Sequence, residues 1–187
     1  MLAVCGNSVS QTENVNQTQQ NVNQTQQKEK MELSLSMERT ECFGSCPAYK
    51  LHINPDGKVL FEGISFTKTK GKIEGFVDEN KISQLITEIE KADFFSLKDS
   101  YTGDSINCPL EVSDSASVKI NIKLNGKEKT INHYLGCWEN DRPTQNDSTD
   151  IKIEKDWSPK VFPQQLYNLE NKIDEIVETK RWIGERK

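Results

Sequence analysis

The chain has 187 residues, with 29 acidic and 24 basic side chains and a formal net charge of −5. That length suits one domain plus an appendage, and a domain of roughly 155 residues buries about 70% of its unfolded surface, so it needs neither disulfide nor metal merely to fold. The charges are interspersed without a basic block, and no run of 18 apolar residues occurs, which argues against a nucleic-acid partner and a membrane-spanning helix.

Met1-Leu2-Ala3-Val4-Cys5-Gly6 reads as the tail end of a bacterial lipoprotein signal, where a short apolar stretch precedes a cysteine that becomes lipidated. A complete signal has a charged start and about 7 to 15 apolar residues. Only four residues precede Cys5, and Val4 is larger than the usual residue there. The expectation is a lipid anchor at Cys5 with the rest of the signal upstream; the competing reading is an incidental cysteine in a cytosolic protein. Residues 14–20 (Asn-Val-Asn-Gln-Thr-Gln-Gln) recur letter for letter as residues 21–27. Such a tract cannot bury enough apolar surface to offset chain entropy, so residues 1–30 are expected to form a disordered tether. One valine per repeat is too little for a coiled coil.

Residues 31–187 read as a single α+β domain with a polar insertion around 137–160. Leu33, Leu35 and Met37 alternate with Ser34, Ser36 and Glu38, the period of a strand. Tyr49, Leu51 and Ile53 alternate likewise, and Pro55-Asp56-Gly57 turns the chain before Val59 and Phe61. Another strand is expected near residues 73–77. Asp78 is placed to cap a helix carrying Ile82, Leu85, Ile86 and Ile89 on one face, with Phe94, Phe95 and Leu97 closing over the core. In the second half, Val118, Ile120, Ile122 and Leu124 lead into Asn125-Gly126, a strong hairpin signal, and residues 127–134 return. A last helix opens near Pro163, presents Leu166, Leu169, Ile173, Ile176 and Val177, and stops at Gly184. The expected architecture is an antiparallel sheet built from two β-hairpin-plus-helix units, both helices on one face.

Between the first two strands lies Glu41-Cys42-Phe43-Gly44-Ser45-Cys46-Pro47, two cysteines four apart. The longer run from Glu38 to Tyr49 resembles the opening signature of a bacterial family of unknown function, domain family 6438. The likeness continues through Asp56-Gly57, Phe61-Glu62-Gly63, Ala92-Asp93-Phe94-Phe95 and Asp99-Ser100-Tyr101, and ends with Ile173-Asp174-Glu175-Ile176 and Arg181-Trp182-Ile183. It spans roughly residues 33–183 and departs from the family at 107–115 and 136–160, the stretches that hold Cys108 and Cys137. The resemblance implies a small envelope or lipoprotein domain and names no activity.

In an envelope setting the five cysteines resolve into a lipid site at Cys5 and two bridges, Cys42–Cys46 and Cys108–Cys137. With Asn125-Gly126 as the loop, residue 114 faces 137, so Cys108 and Cys137 lie beyond the same open end of the hairpin. The alternative is chemistry at Cys42 and Cys46. Cys-x-x-x-Cys-Pro also resembles the motif of thioredoxin-fold copper chaperones, where a distant histidine completes a Cu(I) or Zn site. Here the motif precedes a hairpin instead of a helix. His52 falls on the polar face of its strand, and His133 shares the face of Ile131 as a half-buried side chain. Redox exchange lacks an evident helix N-terminus or cation to lower a thiol pKa.

The remaining acids, Glu88, Glu90, Asp174, Glu175 and Glu178 among them, fit solvated helix faces. Trp138 and Trp157 flank the insertion, as core or as a recognition surface. No hydrolase elbow, P-loop, dinucleotide fingerprint or calcium loop is spelled out, so no catalytic residue, resident metal or cofactor is expected. The sequence reads as an envelope-tethered module that binds an unknown envelope protein or ligand without catalysis. The alternative function is a thiol-based Cu or Zn or redox protein using Cys42 and Cys46.

Overall fold

A computed structural model of the chain describes Met1 and residues 32–103, 107–139 and 160–184. Cys5, the repeats, Trp157 and most of the polar insertion lie outside the described residues. The elements below belong to one unit, Met31–Lys187.

The fold is α+β: a mostly antiparallel sheet with two main helices. In chain order it comprises β1 (Leu33–Arg39), β2 (Ala48–Ile53), β3 (Lys58–Ser65), β4 (Gly71–Phe76), α1 (Glu79–Lys91), β5 (Ser100–Tyr101), β6 (Leu110–Glu111), β7 (Ser117–Leu124), β8 (Lys127–Tyr134), β9 (Cys137–Trp138), α2 (Gln164–Val177) and α3 (Lys180–Ile183). Seven strands form one sheet in the order β4-β3-β2-β1-β7-β8-β5; β6 and β9 form a separate ribbon. All neighbours in the large sheet are antiparallel except β5, which runs parallel to β8.

The two-unit expectation is corrected here. The first half is a four-strand meander followed by a helix. The meander extends past one hairpin because Gly71–Phe76 doubles back on β3. The second half is one hairpin that docks on β1, the central strand. The Asn125-Gly126 turn has φ of 49° and 80°, the left-handed pair that a two-residue hairpin requires.

One face of the sheet is apolar. Leu33, Leu35, Met37, Leu51, Ile53, Val59, Phe61, Val118, Ile120, Ile122 and Ile131 point to it, and Leu85, Ile86 and Ile89 of α1 with Leu166, Leu169, Ile173 and Val177 of α2 cover it. Full burial of each such side chain stabilises by about 1.5–3 kcal/mol. Asp78 caps α1, accepting from the Lys81 amide at 2.9 Å; loss of such a cap costs about 1 kcal/mol. Phe94 and Leu97 close over the core.

The last helix does not run on to Gly184. It breaks after Val177, where Glu178 takes a left-handed φ of 60°, and α3 restarts beyond Thr179. The break lets Trp182 turn back onto Phe61, ring centroids 5.1 Å apart. The gain is burial of an indole that a straight helix would carry away from the sheet.

Candidate functional site

A single row crosses the helix-facing side of the sheet. Tyr49 of β2 pairs with Arg39 of β1, Arg39 with Val118 of β7, Val118 with His133 of β8, and His133 with Tyr101 of β5. Arg39 is in phase with Leu33, Leu35 and Met37, and His133 with Ile131, so strand alternation turns both toward the core. Burying a cation among apolar residues is costly unless it is paired. The partners come from α2, where Glu170 and Asp174 stand one turn apart.

At one end, Arg39 donates through Nε to Tyr49 Oη at 3.0 Å and to Asp174 Oδ2 at 3.1 Å. Its Nη2 lies 3.0 Å from Asp174 Oδ2. Tyr49 Oη donates to Asp174 at 2.6 Å, and Thr179 Oγ1 donates to Asp174 Oδ1 at 2.8 Å. Burial, reinforced by the Asp174 charge, pushes the Tyr49 phenol well above its ordinary range. Burial disfavours the charged Arg39 guanidinium, but Tyr49, Asp174 and Glu170 outweigh it, and the guanidinium is held charged. With its oxygens taken by three donors, Asp174 is an anchor for α2, poorly suited to accept a proton from a substrate.

At the other end, His133 and Glu170 are both fully buried, with His133 Nδ1 2.8 Å from Glu170 Oε1. His133 Nε2 lies 3.1 Å from the Phe162 carbonyl oxygen. A carbonyl only accepts, so Nε2 carries a proton. The second hydrogen bond then has two forms: an imidazolium donating to a carboxylate, or a carboxylic acid donating to a neutral imidazole. Tyr101 packs edge-on against the ring at 6.2 Å. Glu170 Oε2 has no partner among the described residues.

The Arg39 end of the row opens into a cleft of about 1010 Å³. The Cys42–Cys46 loop and Pro47 form one wall, Arg39 and Tyr49 the floor, and Tyr167, Asn171, Asp174 and the turn from Glu178 to Gly184 the other wall; Asp114, Ala116 and Leu135 close the end. Cys42 and Cys46 are joined in a disulfide with Cα atoms 5.5 Å apart, and a second bridge joins Cys108 to Cys137. The loop is pinned by the Phe43 amide donating to the Asp114 carbonyl at 3.0 Å. Phe43 itself projects into water, 90% exposed.

The structure does not bring the histidines to the cysteines. His52 sits between Ser36 and Leu60 on the opposite face of the sheet, and His133, which the sequence placed half-buried, is fully buried and engaged by Glu170. Among the described residues no three His, Cys, Asp or Glu side chains converge on a metal position. Asp174, expected on a solvated helix face, is instead the hub of the Arg39 network, because α2 is rotated to place residues 170 and 174 over the sheet. Trp138 is partly buried and bridges to Val161. Arg39, Tyr49 and Glu170 were not singled out as site residues, yet a signal existed. Each is a polar group in phase with an apolar stripe: Glu170 falls four after Leu166 and three before Ile173.

The sequence matches the family described as a domain of unknown function, DUF6438, over residues 33–155. That stretch contains both disulfides and the β-strand half of the site; α2 lies beyond it. No curated protein matches the chain.

Proposed function

The chain belongs to the DUF6438 family of domains of unknown function, and from there we propose that it is a non-catalytic binding module held at a bacterial cell envelope. The cleft between the Cys42–Cys46 loop and α2 is its ligand site. The observation that carries this reading is the rigidity of the cleft: a disulfide fixes one wall, and the Tyr49–Arg39–Asp174 network fixes the floor to the other. Preformed concave sites of this size, largely apolar with a few polar groups, are where small ligands and peptide segments bind.

The lining sets the ligand's chemistry. Asp114, Asp174, Glu175 and Glu178 outnumber Arg39 and Lys180, while Pro47, Ala116, Leu135, Tyr167 and Ile183 are apolar or amphipathic. Arg39 is matched by Asp174; Glu175 and Glu178 pair with Lys172 and Lys81, each at 2.6 Å, yet stay more than half exposed, and with Asp114 they leave the rim acidic. A ligand with an apolar body and amine or guanidinium groups fits that balance. The test uses short peptides alternating Lys or Arg with Leu or Phe, and follows backbone amide shifts by NMR. Shifts clustering at residues 39–49, 114–116 and 167–184, with roughly tenfold weaker binding in Glu175→Lys, support the reading. Equal binding of acidic peptides, or shifts elsewhere, reject it.

Tethering rests on the lipobox-like start at Cys5 and the polar repeats after it. Palmitate labelling of the chain expressed behind a complete lipoprotein signal, abolished by Cys5→Ser, tests the anchor; an exported chain that stays unlabelled overturns it.

One observation favours a second reading. The Cys42–Cys46 bridge lines the cleft and is partly exposed, so reduction would release two thiols into the ligand space. The thiol-chemistry reading requires stoichiometric Cu(I) or Zn uptake by the reduced chain, lost in Cys42→Ser. No uptake ends it.

A further inference from the structure

β4 closes one edge of the seven-stranded sheet. It pairs with β3 on one side, and among the described residues nothing pairs with its other side. Such an edge presents a row of unpaired N–H and C=O groups to any strand that can align with it. Natural edges are blunted by proline, a bulge or charged side chains; β4 has no proline, its register with β3 runs unbroken from Gly71 to Phe76, and its two charges, Lys72 and Glu74, are of opposite sign. Leu60, Ile64, Phe66, Ile73 and Phe76, all on this hairpin and its turn, are exposed large apolar side chains.

The sequence of the edge states what fits it. In antiparallel pairing about a two-fold axis normal to the sheet, facing residues share a face, so one residue of β4 sits on the axis. Only an axis at Ile73 or at Glu74 pairs five of the six residues of the strand. With Glu74 on the axis, two carboxylates face each other. With Ile73 on the axis, Lys72 faces Glu74 of the second copy on both sides, Ile73 meets Ile73, and Gly71 faces Gly75. Glu74 already meets Lys58 of its own chain at 3.4 Å, both side chains more than half exposed; the carboxylate retains room for a second cation. One step beyond the strand, exposed Lys70 comes opposite exposed Phe76, a cation–ring pairing.

We propose that two copies of this chain associate edge to edge through β4, in antiparallel register centred on Ile73, to form one continuous sheet. The charge pattern is self-complementary in this register, and a two-fold contact demands that property. The helices lie on the same face of the joined sheet in both copies.

The test is sedimentation of the full chain at low ionic strength over a concentration series, with the wild type, Glu74→Lys, and the charge-swapped double variant Lys72→Glu/Glu74→Lys. The wild type is expected to move from one to two times 21.3 kDa as concentration rises. Glu74→Lys sets lysine against lysine and should remain a monomer with an unchanged circular dichroism spectrum. The charge swap restores the facing pairs and should restore the dimer. A wild type that stays monomeric, leaving the edge to another protein or another segment, overturns the proposal. So does dimerisation of Glu74→Lys equal to that of the wild type, or failure of the charge swap to recover it.

Discussion

His133 and Glu170 meet at 2.8 Å with neither side chain exposed, and this contact ties α2 to the β8 side of the sheet as Asp174 ties it to β1. Removing one member of a buried pair strands the other, at a cost of about 3–5 kcal/mol. His133→Leu should therefore destabilise the fold by that order in urea denaturation. Glu170→Gln should cost far less, because its amide can donate to Nδ1 while Nε2 still donates to Phe162. His133→Leu/Glu170→Leu should recover much of the single-variant loss. Additive single costs in that cycle would mean that the pair is not coupled.

The Arg39 network predicts an alkaline limit. Burial and Asp174 raise the folded-state pKa of Tyr49 above its unfolded value, which is about 10. The linked stabilisation is then complete below about pH 10 and declines above it, as the unfolded chain releases a phenolic proton that the folded chain retains. Ultraviolet titration should show Tyr49 ionising only with unfolding. Tyr49→Phe should flatten the fall in stability between about pH 10 and 11 while lowering stability at neutral pH by about 1–3 kcal/mol, through loss of one of the three donors to the Asp174 carboxylate. An unchanged alkaline slope in Tyr49→Phe would place the effect elsewhere.

The two disulfides should separate in both energy and accessibility. In the chain-entropy view the Cys108–Cys137 bridge contributes about 3.6 kcal/mol and the Cys42–Cys46 bridge about 2 kcal/mol, from sequence separations of 29 and 4. Cys108 and Cys137 are buried, whereas Cys42 and Cys46 are partly exposed, so mild reductant should open the loop bridge first. Mass mapping of alkylated thiols along a dithiothreitol series checks the order. Cys42→Ser/Cys46→Ser should weaken peptide binding in the cleft more than it lowers the urea midpoint.

Local chemistry made the scaffold readable and left the site mostly hidden. The Asn125-Gly126 hairpin, the Asp78 cap and the helix stripes each depend on residues within a few positions of one another, and each stands where those residues direct. The meeting of residue 39 with residue 174 depends on how far α2 rotates over the sheet, which no local window encodes. The Cys42–Cys46 bridge was legible because five residues contain both of its ends. His133 was placed on the correct face but too near the surface, since its depth comes from Tyr101 and Phe162, brought in from distant segments. Glu170 looked like one more helix acid; only its phase with Leu166 and Ile173 set it apart.

Gly63 offers the sharpest packing test in the domain. A Cβ built there would lie 1.9 Å from the Thr69 carbonyl oxygen and 2.6 Å from Thr67 Oγ1. Thr67 is itself buried and donates to that carbonyl at 2.8 Å, so the turn cannot move aside without losing a buried hydrogen bond. At Gly75 an added methyl meets the Trp182 ring at 3.0 Å and the end of Arg181 at 3.2 Å, side chains that can shift. Gly63→Ala should therefore cost more than Gly75→Ala, at or above the upper end of the roughly 1–3 kcal/mol typical of overpacking. Because Thr69 and Lys68 hydrogen-bond to the carbonyls of Trp182 and Ile183, Gly63→Ala should also loosen α3 and increase amide exchange at residues 180–184. Equal destabilisation by the two substitutions, with α3 unaffected in Gly63→Ala, would show that the turn yields as easily as the indole.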